Sequence, residues 1–397
     1  MTSLCFWLLA AALVFAAYTY LGYPLLLGLV ALVRRGRPAA AHPAEWPTIS
    51  IVLPVYNEGA VVRDTLDNLL RLDYPADRRQ ILVVSDASTD RTDAIVREYA
   101  DRGVELLRLP RRSGKTAAEN AALPLLRGQI IVTTDASARP ALGALKPLIA
   151  SFTDPTVGVA SGHYVSVART DGHANHAESW YVGYDMWVRR LETRIAGIPG
   201  AAGCFHAVHA TLHKRVLPEA LSRDFAAALL ARERNLRAVS VEDAVCAVPR
   251  VSSLRHEYRR KVRTITRGWH TLRFKQGLLN PFRHGVFAWI LLSHKICRWI
   301  IPHVSLPALA ALLCLARTVS WARWGVGLVA VAGLIAALGW FWPDGRRLPK
   351  ALALPAYLVI GNLAALHAWL RAVRGERTPI WEPTRRDAAR LAQGDAA

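Results

Sequence analysis

Apolar residues follow two rhythms along this chain. At both ends they form long runs, and between Trp46 and about Asn280 they break into short segments with strand and helix periodicity. From Leu4 to Val33 no Asp, Glu, Lys, Arg or His interrupts the run, which exceeds the roughly 20 residues needed to cross a bilayer. The run ends in Arg34-Arg35-Gly36-Arg37. A secretory signal carries its basic residues before a shorter apolar core, so this order reads as an anchor. Three more runs close the chain: Val286–Ala316, interrupted by Ser293-His294-Lys295 and Arg298-Trp299, then Trp324–Trp342 and Ala351–Leu370. Basic clusters at Arg34–Arg37, Arg346–Lys350 and Arg371–Arg377 mark cytoplasmic flanks. One crossing at the start and three at the end would put the Arg-rich tail outside. One C-terminal segment is therefore expected in the interface, and the amphipathic start of Val286–Ala316 is the candidate. The chain divides into an anchor (1–35), a soluble domain (46–280), a C-terminal membrane region (283–373) and a basic tail (374–397).

Inside the soluble part, Ile49–Leu53, Ile81–Val84, Val104–Leu107 and Ile130–Val132 are short and β-branched, as doubly buried parallel strands should be. Helical stretches Ala60–Leu72, Arg91–Ala100 and Thr116–Leu126 separate them. The alternation predicts a doubly wound α/β sheet, whose ligands sit at the carboxyl ends of the strands. Polar residues collect there. Asn57-Glu58 follows the first strand, and Asp86 follows the second, where a carboxylate can accept hydrogen bonds from a base or ribose. Ser88-Thr89-Asp90 beside it is also a helix cap. Arg111-Arg112-Ser113-Gly114-Lys115-Thr116 opens a helix. Leu109 replaces the first glycine of a phosphate loop, yet Lys115 and backbone N–H groups can still hold a diphosphate. The stretch IVTTDASARP (131–140) releases Asp135 at a strand end and places Ser137 where an Asp-x-Asp would have its second carboxylate.

Further on, Trp180, Tyr184, Trp187, Leu191 and Ile195 share one face of a helix and are expected to be core. The stretch Tyr258–Leu272 carries an apolar face of Tyr258, Val262, Ile265, Trp269 and Leu272. Arg259, Arg263 and Arg267 recur on another, a pattern that also suits anionic headgroups. For a general base there are two candidates: Asp224 at a helix start, and Glu242-Asp243 in a strand-like context.

The charge balance, 50 Lys+Arg against 30 Asp+Glu, gives a net +20. Such an excess points to anionic lipid, an anionic small substrate or nucleic acid. Cytoplasmic flanks account for much of it, and no nucleic-acid partner is expected. Five cysteines without C-x-x-C spacing argue against a disulfide framework or a zinc site.

Taken together, VLPVYNE (52–58), LDYPADRRQILVVSDASTD (72–90), SGKTAAENAA (113–122) and VTTDAS (132–137) resemble the family 2 glycosyltransferases. The likeness is strongest to membrane-bound synthases of hyaluronan, cellulose or poly-N-acetylglucosamine. The resemblance implies a GT-A domain for a nucleotide-diphosphate sugar, with a UDP-sugar expected, flanked by transmembrane helices. Asn57, Glu58 and Asp86 would hold the nucleoside. Asp135 would face the diphosphate and a Mg2+ or Mn2+ ion. The loop Gly197–Gly203 would lie under the acceptor, with Ala202 where relatives are often polar. Arg260 and Arg263 occupy the Gln and Arg places of a Gln-x-x-Arg-Trp element, and Thr264 stands for its Trp. In such synthases the base precedes that element by a helix, a strand and a loop, so the resemblance implies Asp224 rather than Glu242 or Asp243 as general base. The reading is an inverting transferase in the inner membrane with its catalytic domain cytoplasmic. Its acceptor is a growing polysaccharide or a lipid-linked group. Single transfer to a polyprenyl phosphate or lipid, and an inactive scaffold of a polysaccharide export complex, are the alternatives.

Overall fold

The computed structural model describes residues 2–33, 43–167, 176–249, 253–342, 349–377 and 380. Among these residues eight strands form one mixed sheet in the order β3-β2-β1-β4-β7-β6-β8-β5. The parallel part comprises β1 (Ile49–Val55), β2 (Arg79–Ser85), β3 (Val104–Arg108) and β4 (Ile130–Thr134), with β2 and β4 flanking β1. All four expected strands are present. Both faces of β1 are covered, which explains its unbroken apolar run. Ile49, Ile51, Leu53 and Val55 pack with Val62, Leu66 and Leu69 of helix α1 (Val62–Arg71). Val52 faces the other way and meets Ala118 and Ala122 of α2 (Lys115–Ala122).

The second half of the sheet was not foreseen strand by strand. It contains β5 (Arg139–Pro140), β6 (Val157–Val167), β7 (Phe205–His209) and β8 (Arg237–Pro249). Strand β7 runs antiparallel to β4 and β6, and β8 runs parallel to β6. The register shifts between Gly162 and His163, so Glu242 and Asp243 bulge out of the ladder and are exposed.

Among the described residues four helices are long and apolar enough to cross a membrane: Thr2–Val33, Val286–Leu315, Ser320–Trp340 and Leu352–Val373. The first two run antiparallel. Cys5 packs with Leu312 and Leu315 at one end, and Tyr23 and Leu27 pack with Ile290 at the other. Midway, the Tyr18 hydroxyl lies 2.7 Å from Ser293 Oγ and accepts a bond from Trp289 Nε1.

Helix α3 (His176–Ile195) joins this pair to the domain: Val188, Leu191 and Ile195 bury against Tyr23, Leu27 and Ala31. Its aromatic stripe is core only at that lower end. Trp180 is 61% and Trp187 42% exposed, because the packing partner covers only the Leu191 and Ile195 turns.

The arginine-rich stretch forms helix α5 (Leu254–Phe274), preceded in the chain by α4 (Arg223–Glu233). Its apolar face meets protein rather than headgroups alone. Val262 packs with Ala364 and Ala368, and Leu254 with Ala353, Tyr357 and Ile360, so α5 lies lengthwise along Lys350–Val373. On its other side Gly268 admits Trp299, since a side-chain carbon there would stand 2.7 Å from the indole.

Candidate active site

The parallel strands end on one edge of the sheet, and a cavity of about 470 Å3 opens there toward the apolar helices. Glu58, Lys115, Asp135, Asp224, Arg260 and Arg263 all line it. Residues up to 205 positions apart in sequence therefore share one wall.

Asn57 and Asp86 do not line the cavity. Asn57 turns the chain after β1 with φ of 51°, a left-handed conformation that asparagine tolerates. Its side-chain oxygen accepts the Thr89 N–H at 2.7 Å. Asp86 is buried and accepts the backbone N–H groups of Ser113 (2.7 Å) and Gly114 (2.8 Å). Both residues thus fix the loops at the β1 and β2 ends, and Asp86 sets the entrance of α2. Beside them Arg112 stacks 3.8 Å over the Tyr56 ring, a flat polar surface at the outer end of the site.

At the centre, Lys115 reaches across from the start of α2. Its ammonium donates to Asp135 Oδ1 at 2.6 Å and to the Gly203 carbonyl at 3.1 Å. Burial works against that charge, but Asp135, Glu119 and Asp224 outweigh it and hold the amine above its usual range. Glu119, one turn along α2, is buried beside Arg223 Nε at 3.3 Å, and burial pushes its carboxyl up.

Asp224 starts α4 and rests on the Gly197–Gly203 loop. A side-chain carbon on Gly203 would lie 2.8 Å from its Oδ2, so only glycine lets the carboxylate approach. The Ser222 hydroxyl donates to Oδ1 at 2.5 Å. Burial raises the Asp224 carboxyl, yet Lys115, Ser222 and His206 together hold it below the ordinary value. An ionised carboxylate facing the cavity can accept a proton from an attacking hydroxyl.

Two side chains that the sequence did not mark as site residues, His206 and Arg267, also line the cavity, and a third, Glu257, stands behind Arg260. His206 on β7 is buried, with Nδ1 3.0 Å from the Ala202 carbonyl and Nε2 without a hydrogen-bond partner among the described residues. Burial, aided by Lys115 and opposed by Asp224, lowers it to about 4. Arg267 donates to Thr116 Oγ1 at 2.6 Å and to the Leu221 carbonyl, pinning α5 to the starts of α2 and α4. Glu257 is buried and grips Arg260 through two bonds of 2.8 and 2.9 Å. Nothing in the hydrophobic pattern distinguishes His206 from other strand residues. Glu257 and Arg267 were visible only as members of a charged helix.

Asp135 Oδ1 is taken by Lys115, and Oδ2 makes no hydrogen bond among the described residues. Ser137 also lines the cavity. Among the described residues no group of three His, Cys, Asp or Glu side chains could hold a metal by itself. The donor set fits a hard cation that arrives with phosphate oxygens and takes one carboxylate from the protein.

On the membrane side the cavity runs on between α3 and the apolar helices. There Tyr23 donates to Glu192 at 2.5 Å, and His294 bridges Glu192 (2.6 Å) and Asp185 (3.2 Å). Arg298 meets Asp185 at 2.9 Å. Burial raises the Asp185 carboxyl, but His294, Arg298 and Arg189 hold it well below the usual range.

Residues 50–217 match the profile of glycosyl transferase family 2. Among curated proteins, a β-monoglucosyldiacylglycerol synthase of Nostoc is 30% identical over 157 residues, which is 38% of this chain and 33% of that protein. An N-acetylglucosaminyltransferase of Mesorhizobium japonicum is 30% identical over 169 residues, 41% of this chain and 37% of its own length. The matched segment thus spans about a third of these relatives. A mannosyltransferase of Pyrobaculum calidifontis, solved with GDP-mannose and Mn2+, aligns with a TM-score of 0.68 and 25% identity. That alignment covers 93% of this chain and all of the other.

Proposed function

Since this chain carries a family 2 glycosyltransferase domain of GT-A type, we propose that it is a membrane-anchored inverting transferase. It moves a sugar from a nucleoside-diphosphate sugar to a lipid-linked or polysaccharide acceptor. The carrying observation is the meeting of Lys115, Asp135 and Asp224 around Gly203. Lys115 provides a fixed cation for the departing diphosphate, and Asp224 provides a base within the same wall. In an inverting displacement the acceptor oxygen bonds to the anomeric carbon as the bond to the diphosphate breaks. The electron pair leaves with the nucleoside diphosphate, and the hydroxyl proton passes to Asp224. A Mg2+ or Mn2+ ion, when bound, neutralises part of the diphosphate charge and would be held by Asp135. Arg260, fixed by Glu257, and Arg263 add positive charge to the same cavity.

A UDP-sugar is the donor class we assign. GDP-mannose is the second reading, favoured by the full-length alignment with the Pyrobaculum mannosyltransferase. The test is to incubate the purified protein in lipid vesicles with UDP- and GDP-sugars and score nucleoside diphosphate release, with and without chelator. Release that needs the divalent cation and Asp224 is expected. No release from any donor would leave only the scaffold reading.

A further inference from the structure

Resting on the transferase reading above, we propose that the membrane-side end of the cavity is an oxyanion site. It takes the phosphate of an acceptor whose headgroup also offers the attacking hydroxyl. The site centres on Lys295, in the first third of the apolar helix Val286–Leu315. Its amine lines the cavity and makes no hydrogen bond or ion pair among the described residues. It lies 3.8 Å from where a side-chain carbon on Gly200 would stand and 5.6 Å from the Phe225 ring. That places it beside the loop under Asp224, on the membrane side of the base.

Two buried guanidinium groups back it. Arg298 spends one nitrogen on Asp185 and lies 5.5 Å from the Tyr184 ring, while its Nε and Nη2 have no hydrogen-bond partner among the described residues. Arg189, only 5% exposed, gives Nη2 to Ser161 and has an unpartnered Nε. The carboxylates of this sector are Asp185 and Glu192, both already held by His294. Three cations face two acids, so the sector carries surplus positive charge inside a half-apolar wall. Unpaired charge of this kind is expensive unless a ligand compensates it. A phosphate diester or diphosphate on a membrane lipid supplies that compensation. Its adjoining sugar or polyol hydroxyl then lies toward Asp224. The transferred sugar gains a bond to that hydroxyl oxygen, the donor's nucleoside diphosphate departs with the electron pair, and the phosphate at Lys295 stays intact.

The test uses the full chain in neutral vesicles with an identified sugar donor and two matched acceptor pairs. One pair is phosphatidylinositol against diacylglycerol; the other is an isoprenyl diphosphate-linked sugar against an alkyl glycoside of the same sugar. We expect kcat/KM to be at least tenfold higher for the charged member of at least one pair. Lys295→Met should remove that preference by raising the acceptor KM, and Lys295→Arg should restore it. Equal use of charged and neutral acceptors by the unaltered protein would overturn the site even if Lys295→Met fails to fold. So would an unchanged acceptor KM in a folded Lys295→Met protein. Donor turnover to water reports on the transferase reading separately. Its loss would sink that reading, whereas turnover that ignores acceptor charge would sink only the oxyanion site.

Discussion

Asp224 and His206 behave oppositely toward protons, and each leads to a measurement. Asp224 is held below the 3.8 of a free aspartate, so the acid limb of turnover should lie below that value. Ser222→Ala, which removes a donor to the carboxylate, should move the limb upward. Asp224→Asn should lower turnover by about 100-fold or more while donor affinity stays within a few-fold. Asp243→Asn should remain active, because Asp243 sits exposed in the β8 bulge. An active Asp224→Asn protein would mean the base is elsewhere. His206 stays neutral down to about 4, against 6.5 when unfolded. Between those values the unfolded chain binds the extra proton, so stability falls as pH drops from 6.5 toward 4. His206→Phe should flatten that slope in denaturation midpoints, and an unaltered slope would assign it to other groups.

At the scale of elements, α5 decides how the domain meets the apolar helices. If Arg263 clamps a diphosphate through its fork, Arg263→Lys should reduce turnover at least ~10-fold, about 1.4 kcal/mol of transition-state stabilisation. Normal turnover in that variant would reduce Arg263 to a surface charge. Gly268→Val forces a branched side chain into Trp299. It should cost on the order of 1–3 kcal/mol in unfolding free energy. The parallel strands and the residues at their ends were legible in the sequence because both faces of β1, β2 and β4 are buried. That burial leaves short apolar runs with polar residues just beyond them. Of the second half only β8 was legible, as the strand-like context of Glu242-Asp243, since β6 and β8 carry a bulge and a partly exposed face that blur the alternation. Nor could periodicity show that α5 would lie along Lys350–Val373, roughly 100 residues away, and cover its apolar face with alanines. Asp224 was an acid at a helix start, singled out by the order of elements in the synthases the chain resembles; Lys295 was visible only as an interruption in an apolar run.

For the whole molecule, the pairing of α5 with the last helix bears on membrane topology. A helix as charged as α5 does not cross a bilayer, and Leu352–Val373 lies along its full length. Val286–Leu315 instead matches Thr2–Val33 end to end. We propose that Leu352–Val373, rather than the start of Val286–Ala316, is the interfacial segment, leaving three crossings and the basic tail on the domain's side. Reporter fusions after Leu279 and after Arg377 should then read the same compartment, and a fusion after Thr318 the opposite one. A fusion after Arg377 that reads with Thr318 would restore the fourth crossing. The chain of contacts from Tyr23 through Glu192, His294 and Asp185 to Arg298 crosses the seam between domain and apolar helices. Removing a partner from such a buried pair costs roughly 3–5 kcal/mol, so Glu192→Ala should lower the melting midpoint sharply. The same seam means that this catalytic domain is not a portable cartridge. Cut free from its helices, it would expose two acids shaped for partners it no longer had, and grafting it onto another anchor would require transplanting His294 and Arg298 with it.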